Sequence, residues 1–156
     1  MTSFPPPDES DDSALPAVDW IAEDVDFEIA HAGALEAWIK EVISRENGQL
    51  SFLNIIFCSD TYLLALNQEF LGHDTLTDII TFPYQMPPCI EGDIFISIER
   101  VRENAEDYSV AFEAELHRVI IHGVLHLCGY RDKTAEEQAV MRHKEDEALG
   151  LLPMNP

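Results

Sequence analysis

His122 and His126 stand four residues apart in the run His122-Gly123-Val124-Leu125-His126-Leu127-Cys128-Gly129-Tyr130-Arg131-Asp132. On a helix this spacing puts both imidazoles on one face, with Cβ atoms about 5–6 Å apart. Two ring nitrogens can then meet one ion at about 2.0–2.1 Å. Gly129 allows the chain to leave the helix through a left-handed turn, and such a turn can bring Asp132 back toward the same point. Three protein ligands leave a fourth position for water, the arrangement of catalytic rather than structural zinc. Water on such an ion has its pKa lowered toward ~7 and serves as nucleophile or base at neutral pH. The expected metal set is therefore His122, His126 and Asp132 around one ion, Zn2+ or another divalent metal. The bland alternative, two half-buried polar side chains, explains the histidine pair but neither the glycine nor the acidic residue after it.

The pattern HxxxHxxGxxD is close to the HExxHxxGxxH of zinc proteases. Gly123 stands where those enzymes carry their general-base glutamate, so a peptidase here lacks its proton acceptor. Cys128 follows His126 by two residues, about 200° around a helix, and reads as core rather than ligand. His117 reads as a surface group. His31, His73 and His143 have no supporting context.

The elements that must hold this run follow from periodicity and turn signals. Val18, Trp20 and Ile21 hint at a first strand. Ala34, Leu35, Trp38, Ile39, Val42 and Ile43 recur at helical spacing over 33–46, and Asn47-Gly48 ends that helix. Residues 50–58 are β-branched and aromatic, a buried strand. Ser59-Asp60 signals the cap of a helix over about 60–70, followed by loop at 71–74. Strands are expected at 77–82, closed by Pro83, and at 92–97, pairing as a hairpin across the proline-rich turn 85–88. Helices are expected at 99–107, at 111–128 carrying the histidines, and at 134–149, where Thr134 and Glu137 form a capping box. About four strands with four or five helices suggest an α/β or α+β domain.

Composition bounds the function. The 156 residues are the length of one domain, and 46% are apolar. Residues 1–14, rich in Pro, Ser and Asp, read as an acidic disordered tail, leaving 15–152 as a single domain. The start has no basic segment and no apolar run, so it is not a secretory signal. No apolar stretch reaches the ~18 residues of a membrane span. Three cysteines, Cys58, Cys89 and Cys128, without CxxC spacing fit reduced thiols and a cytoplasmic location.

Thirty acidic residues against nine basic give a net charge of −21, which opposes contact with phosphates. Nine of the acidic residues lie within 1–28, which has no basic residue. Seven of the nine basic residues, Arg100, Arg102, Arg118, Arg131, Lys133, Arg142 and Lys144, lie around the histidine run. Such acid-rich composition also suits a salty cytoplasm, where screening relieves self-repulsion.

The run 122–130 resembles the signature of the YbeY family, bacterial metal-dependent endoribonucleases and rRNA maturation factors. Two further segments agree. Leu66-Asn67-Gln68-Glu69-Phe70-Leu71-Gly72-His73-Asp74-Thr75-Leu76-Thr77-Asp78-Ile79-Ile80-Thr81-Phe82 is similar to that family's LNxxYRxxDxxTDVLSF segment, and Gly92-Asp93-Ile94-Phe95-Ile96-Ser97 to its GDIxIS strand. The resemblance runs from about residue 50 to 148. It implies an α+β fold with a mostly four-stranded mixed sheet and the metal site at the end of a central helix. It implies cleavage of single-stranded RNA in maturation of the small-subunit rRNA 3′ end, a role in ribosome quality control, and rRNA, ribosomal particles or ribosomal and assembly proteins as partners.

Two positions depart from that family's pattern. Its motif ends GYDH, and the matching last position here is Asp132. Its arginine after the aromatic of LNxxYR is Leu71 here, which implies either weaker catalysis or another basic group, such as Arg118 or Arg131, in its place. Asp78 and Asp93 read as strand-end and turn caps, and Asn67 as a donor to loop backbone. The main rival to an endoribonuclease is a non-enzymatic ribosome-assembly factor with a structural or vestigial metal; a metallopeptidase is more distant.

Overall fold

The chain alternates strands and helices in the order its periodicities dictate. The computed structural model describes residues 17–152 except residue 74; the expected tail at 1–14 lies outside the described residues. The elements are β1 (Ala17–Ala22), α1 (Ala32–Arg45), β2 (Gln49–Cys58), α2 (Asp60–Leu71), β3 (Ile79–Pro83), β4 (Cys89–Ser97), α3 (Ile98–Asp107), α4 (Phe112–Leu127) and α5 (Ala135–Leu149). The strands form one sheet in the order β1-β2-β4-β3. β1 and β4 run parallel to β2, and β3 is antiparallel to β4. The fold is a single α+β domain with a mixed four-stranded sheet and five helices.

Alternation along the strands assigns the two faces. On one face Leu53, Ile55, Phe57, Ile90, Ile94 and Ile96 pack against α1 and α4 in the main core. On the other, Cys58 and Ile80 pack with Leu63 of α2, and Tyr62, Leu66, Phe82 and Phe95 surround them. α5 lies on α4, and Trp38 Nε1 donates to the Ala148 carbonyl at 2.7 Å, tying α1 to the end of α5.

Local signals behave as the sequence requires. Ser59 Oγ accepts from Tyr62 N at the start of α2, and Thr134 and Glu137 complete the capping box of α5. Asn47 takes a left-handed φ of 62° after α1. Two boundaries differ from expectation. β3 begins at Ile79 rather than 77, because Asp78 turns into a cleft beside α4. β4 reaches back to Cys89, because its parallel partner β2 continues to Gln49. No helix among the described residues is long and apolar enough to cross a membrane.

Candidate metal centre

The two histidines lie in the second half of α4. This helix buries Leu116, Val119, Ile120, Ile121, Val124, Leu125 and Leu127, each contributing about 1.5–3 kcal/mol before entropy is subtracted. Gly123 faces the sheet. A Cβ there would lie 2.8 Å from Ile79 Cδ1 and 3.0 Å from Ile94 Cδ1, so α4 approaches β3 and β4 as closely as a bare backbone permits. At the position that carries glutamate in the protease motif, a side chain here would have to displace Ile79 and Ile94.

α4 ends in a Schellman turn. Tyr130 N donates to the Leu125 carbonyl at 3.1 Å and Gly129 N to that of His126 at 3.0 Å. Gly129 has φ +112°, a conformation other residues rarely adopt. Tyr130 then anchors the loop. Its hydroxyl donates to Glu46 Oε1 at 2.7 Å, and Lys144 pairs with Glu46 at 3.3 Å while lying over the Tyr130 ring. The Asp132 carbonyl accepts from Gln138 Nε2 at 3.1 Å.

Asp132 thereby returns to the histidines. Its Oδ2 lies 3.3 Å from both His122 Nε2 and His126 Nε2. The imidazole rings stand 4.6 Å apart at 82°. One ligand atom from each residue lies within 4.8 Å of the others. Bonds of ~2.0–2.1 Å at tetrahedral angles separate neighbouring ligand atoms by about 3.4 Å, so the donor set fits one small divalent ion. The site sits at the last turn of α4, where the partial negative charge of the helix end favours a cation.

One carboxylate in this arrangement escaped the sequence reading. Glu145 of α5, 5% exposed, accepts from His122 Nδ1 at 2.6 Å and from Arg118 Nη1 at 2.8 Å. Arg118 Nη2 continues to Asp146 at 2.8 Å. The available signal was an acidic residue in register with Met141 and Ala148 on the buried face of α5.

Asp78 and Glu115 join Glu145, His122, Asp132, Gln138 and Arg142 in lining one cleft of about 890 Å³. Asp78 is therefore not simply a strand-end cap; it lines the cleft, and its carboxylate accepts from Asn104 Nδ2 at 3.3 Å. Asp93 lies within β4 and bonds Asn54 and Tyr84 rather than capping a turn. Asn67 does donate to loop backbone, the Thr75 carbonyl, at 2.8 Å.

The electrostatics follow this burial. Burial alone would lower the His122 imidazole, but the hydrogen bond and charge of Glu145, then Asp132 and Asp78, outweigh it and raise it above its ordinary value. Burial would push the Glu145 carboxyl up, yet the hydrogen bonds from His122 and Arg118 carry it below the usual range. Burial raises Asp78, with the nearby His122 offsetting part of the shift. Burial and then the Asp78 charge raise Glu115.

The remaining candidates sort clearly. Cys128 packs on the core, and burial, with the charge of Glu46, pushes its thiol up to about 12; it is not in the cluster of His122, His126 and Asp132. His117 is not the surface group expected; it is half-buried with its ring against the edge of Trp38, and burial lowers its pKa. His143 pairs with Glu147 on the surface. Arg118 lines the cleft with both terminal nitrogens engaged, and Arg131 is exposed beside Asp132. Leu71 is 46% exposed at the end of α2.

Comparison with known proteins gives one consistent result. A family model described as endoribonuclease YbeY matches residues 21–152. Endoribonuclease YbeY of Flavobacterium psychrophilum is 55% identical over 128 residues, covering 82% of this chain and 91% of that one. Its counterpart in Cytophaga hutchinsonii is 47% identical over 130 residues, covering 83% and 91%. The solution structure of TM1509 from Thermotoga maritima is similar at a TM-score of 0.60, with 30% identity over 89% of this chain and 93% of that one.

Proposed function

The chain belongs to the endoribonuclease YbeY family, and from that premise we propose that it is a metal-dependent endoribonuclease of the cytoplasm. Its substrate is single-stranded RNA, and its role is maturation of the small-subunit rRNA 3′ end and ribosome quality control. The observation that carries the reading is the convergence of His122, His126 and Asp132 on one point at a cleft. These three residues would hold the ion, and zinc suits two imidazoles and a carboxylate. A divalent ion bound there supplies Lewis acidity toward a phosphoryl oxygen and an acidified water at neutral pH.

The chain's own residues do the rest. Glu145 and Arg118 brace His122, and the Gly129 turn delivers Asp132. The cations offered to a phosphate are Arg131 and, on the cleft wall, Arg142; neither forms an ion pair with a described residue. Arg100, by contrast, is held by Asp60 and Glu103, and Arg118 by Glu145 and Asp146. The 2′-hydroxyl beside the scissile phosphate is a second nucleophile that RNA itself provides. With a net charge of −21, the chain reaches rRNA through ribosomal or assembly proteins, or in salt high enough to screen repulsion.

Leu71 favours a second reading, an assembly factor that binds ribosomal particles and keeps a vestigial metal. The peptidase reading loses its support, since Gly123 supplies no general base and its Cβ direction points at Ile79 and Ile94 of the sheet. Single-stranded RNA offered with and without chelator separates the first two. Cleavage that disappears with chelator and in His126→Ala supports the endoribonuclease. Intact RNA with retained binding to ribosomal particles supports the assembly factor.

A further inference from the structure

The two histidines are not equivalent. His122 Nδ1 lies 2.6 Å from Glu145 Oε2, whereas no described residue bonds His126 Nδ1. Both oxygens of Glu145 are used, one by His122 and the other by Arg118 Nη1. The carboxylate is nearly inaccessible to water, and an unpaired buried carboxylate is costly, so the Arg118 contact keeps it charged. Asp146, exposed on α5, holds the second nitrogen of Arg118. A chain of three contacts therefore runs from the surface to one imidazole and stops there.

We propose that Glu145 is a positioning residue: it fixes His122 in the tautomer with hydrogen on Nδ1, so that Nε2 turns its lone pair to the point shared with His126 and Asp132, while Arg118 holds Glu145 in place. Hydrogen-bonded carboxylates on the far nitrogen of a ligating histidine orient the ring and strengthen it as a donor, and their loss typically costs about 10–100-fold in metal affinity. This inference rests on reading His122, His126 and Asp132 as the metal set. It also gives Arg118 a supporting role in place of phosphate binding. A purely structural alternative exists, in which Arg118 and Glu145 only join α4 to α5. That alternative does not require His122 to hold one tautomer.

The test has two parts. Nitrogen-15 spectra of the imidazoles in the metal-free wild-type protein, above the imidazole titration range, report the tautomers directly. His122 should be the Nδ1–H form and His126, whose Nε2 faces Asp132 Oδ2 at 3.3 Å, the Nε2–H form; an Nε2–H His122 would overturn the proposal without any variant. Glu145→Gln keeps the shape and removes the charge. Its competition against a chelator for Zn2+ alone should show affinity lower by about 10–100-fold, with His122 now a tautomer mixture and His126 unchanged. Wild-type affinity and tautomer in that variant would overturn the proposal. If even wild type takes up no Zn2+, the metal reading fails by itself, and the His122 spectrum still decides whether Glu145 sets the ring.

Discussion

The cleft has two unlike approaches. On the α4–α5 side His122 and the turn that carries Asp132 are braced. Glu145, Arg118, Tyr130, Glu46 and Lys144 join three helices to the turn that carries Asp132, with contacts of 2.6–3.3 Å. On the other side, the connection from α2 leads into Asp78 and Ile79 of the cleft wall. The last turn of α2 exposes Phe70 at 59% and Leu71 at 46%, and the connection exposes Leu76 at 53%. Among its ties are one backbone bond, His73 N to the Asn67 carbonyl, and one side-chain bond, Asn67 Nδ2 to the Thr75 carbonyl. The family pattern carries arginine where Leu71 stands. The contrast separates two parts of the cleft: the three residues able to hold an ion sit among packed helices, whereas the exposed segment from Phe70 to Asp78 contains no Lys or Arg.

The largest expected effect strikes the braced side through packing. Gly123→Glu forces a charged side chain against Ile79 and Ile94, and overpacking with burial of an unpaired charge should cost at least about 3 kcal/mol. At roughly 2–4 °C per kcal/mol for a chain of this size, a melting curve should drop by about 6 °C or more, with no proteolysis of casein gained. A variant as stable as wild type would mean that α4 does not press on the sheet.

Next comes the loss of one ligand. Zinc affinities of about 10–16 kcal/mol shared over four positions put His126→Ala near 3 kcal/mol, roughly a hundredfold in affinity. Asp132→Ala should also cut metal content strongly. Unchanged zinc stoichiometry in either variant would remove that residue from the site.

Leu71→Arg probes the opposite approach. A charge-assisted hydrogen bond is worth about 1.5–3 kcal/mol, so cleavage of single-stranded RNA should rise about ten- to hundredfold in kcat/KM at constant zinc content. An unchanged rate would show that Arg131 or Arg142 already fills the role.

The pH dependence should distinguish ion-free from ion-loaded protein. His122 is raised above its ordinary 6.5, so its contribution to stability is full below that value and fades as pH climbs through the raised one. Glu145 is lowered from 4.5, so its contribution is present above 4.5 and fades as pH falls through the lowered value. The ion-free protein should therefore draw most from this pair between about pH 4.5 and 6.5. Added Zn2+ acts oppositely, because ligating imidazole must be neutral; the gain in melting temperature should grow as pH rises through the imidazole range. A gain that is flat with pH would place the ion elsewhere. The smallest effect concerns the acidic surface: the melting temperature should rise across a salt series, and one that does not would count against salt adaptation.

Much of the braced side was legible in the sequence, because its signals are local. Histidines at i and i+4, Gly129 after them, and the Thr134–Glu137 box each act within a few residues, and the structure has each where the spacing implied. The β-branched and aromatic run over 50–58 and the segment 92–97 likewise marked two strands, the second of which extends back to Cys89. Glu145 was not legible. Its register with Met141 and Ala148 marks the buried face of α5, but its partner is 23 residues away on another helix, so nothing local names the histidine. His117 was misjudged for the same reason, since only the packing of α1 brings Trp38 to it. Asp78 looked like a cap because its burial depends on α3 and α4 closing over it.

The most direct test of the account pairs elemental analysis with an RNA cleavage assay on one preparation. The account predicts about one equivalent of zinc or another divalent metal, and cleavage of single-stranded RNA that falls with the metal when a chelator removes it and returns when it is restored. Cleavage that persists undiminished after the metal has been stripped would contradict it.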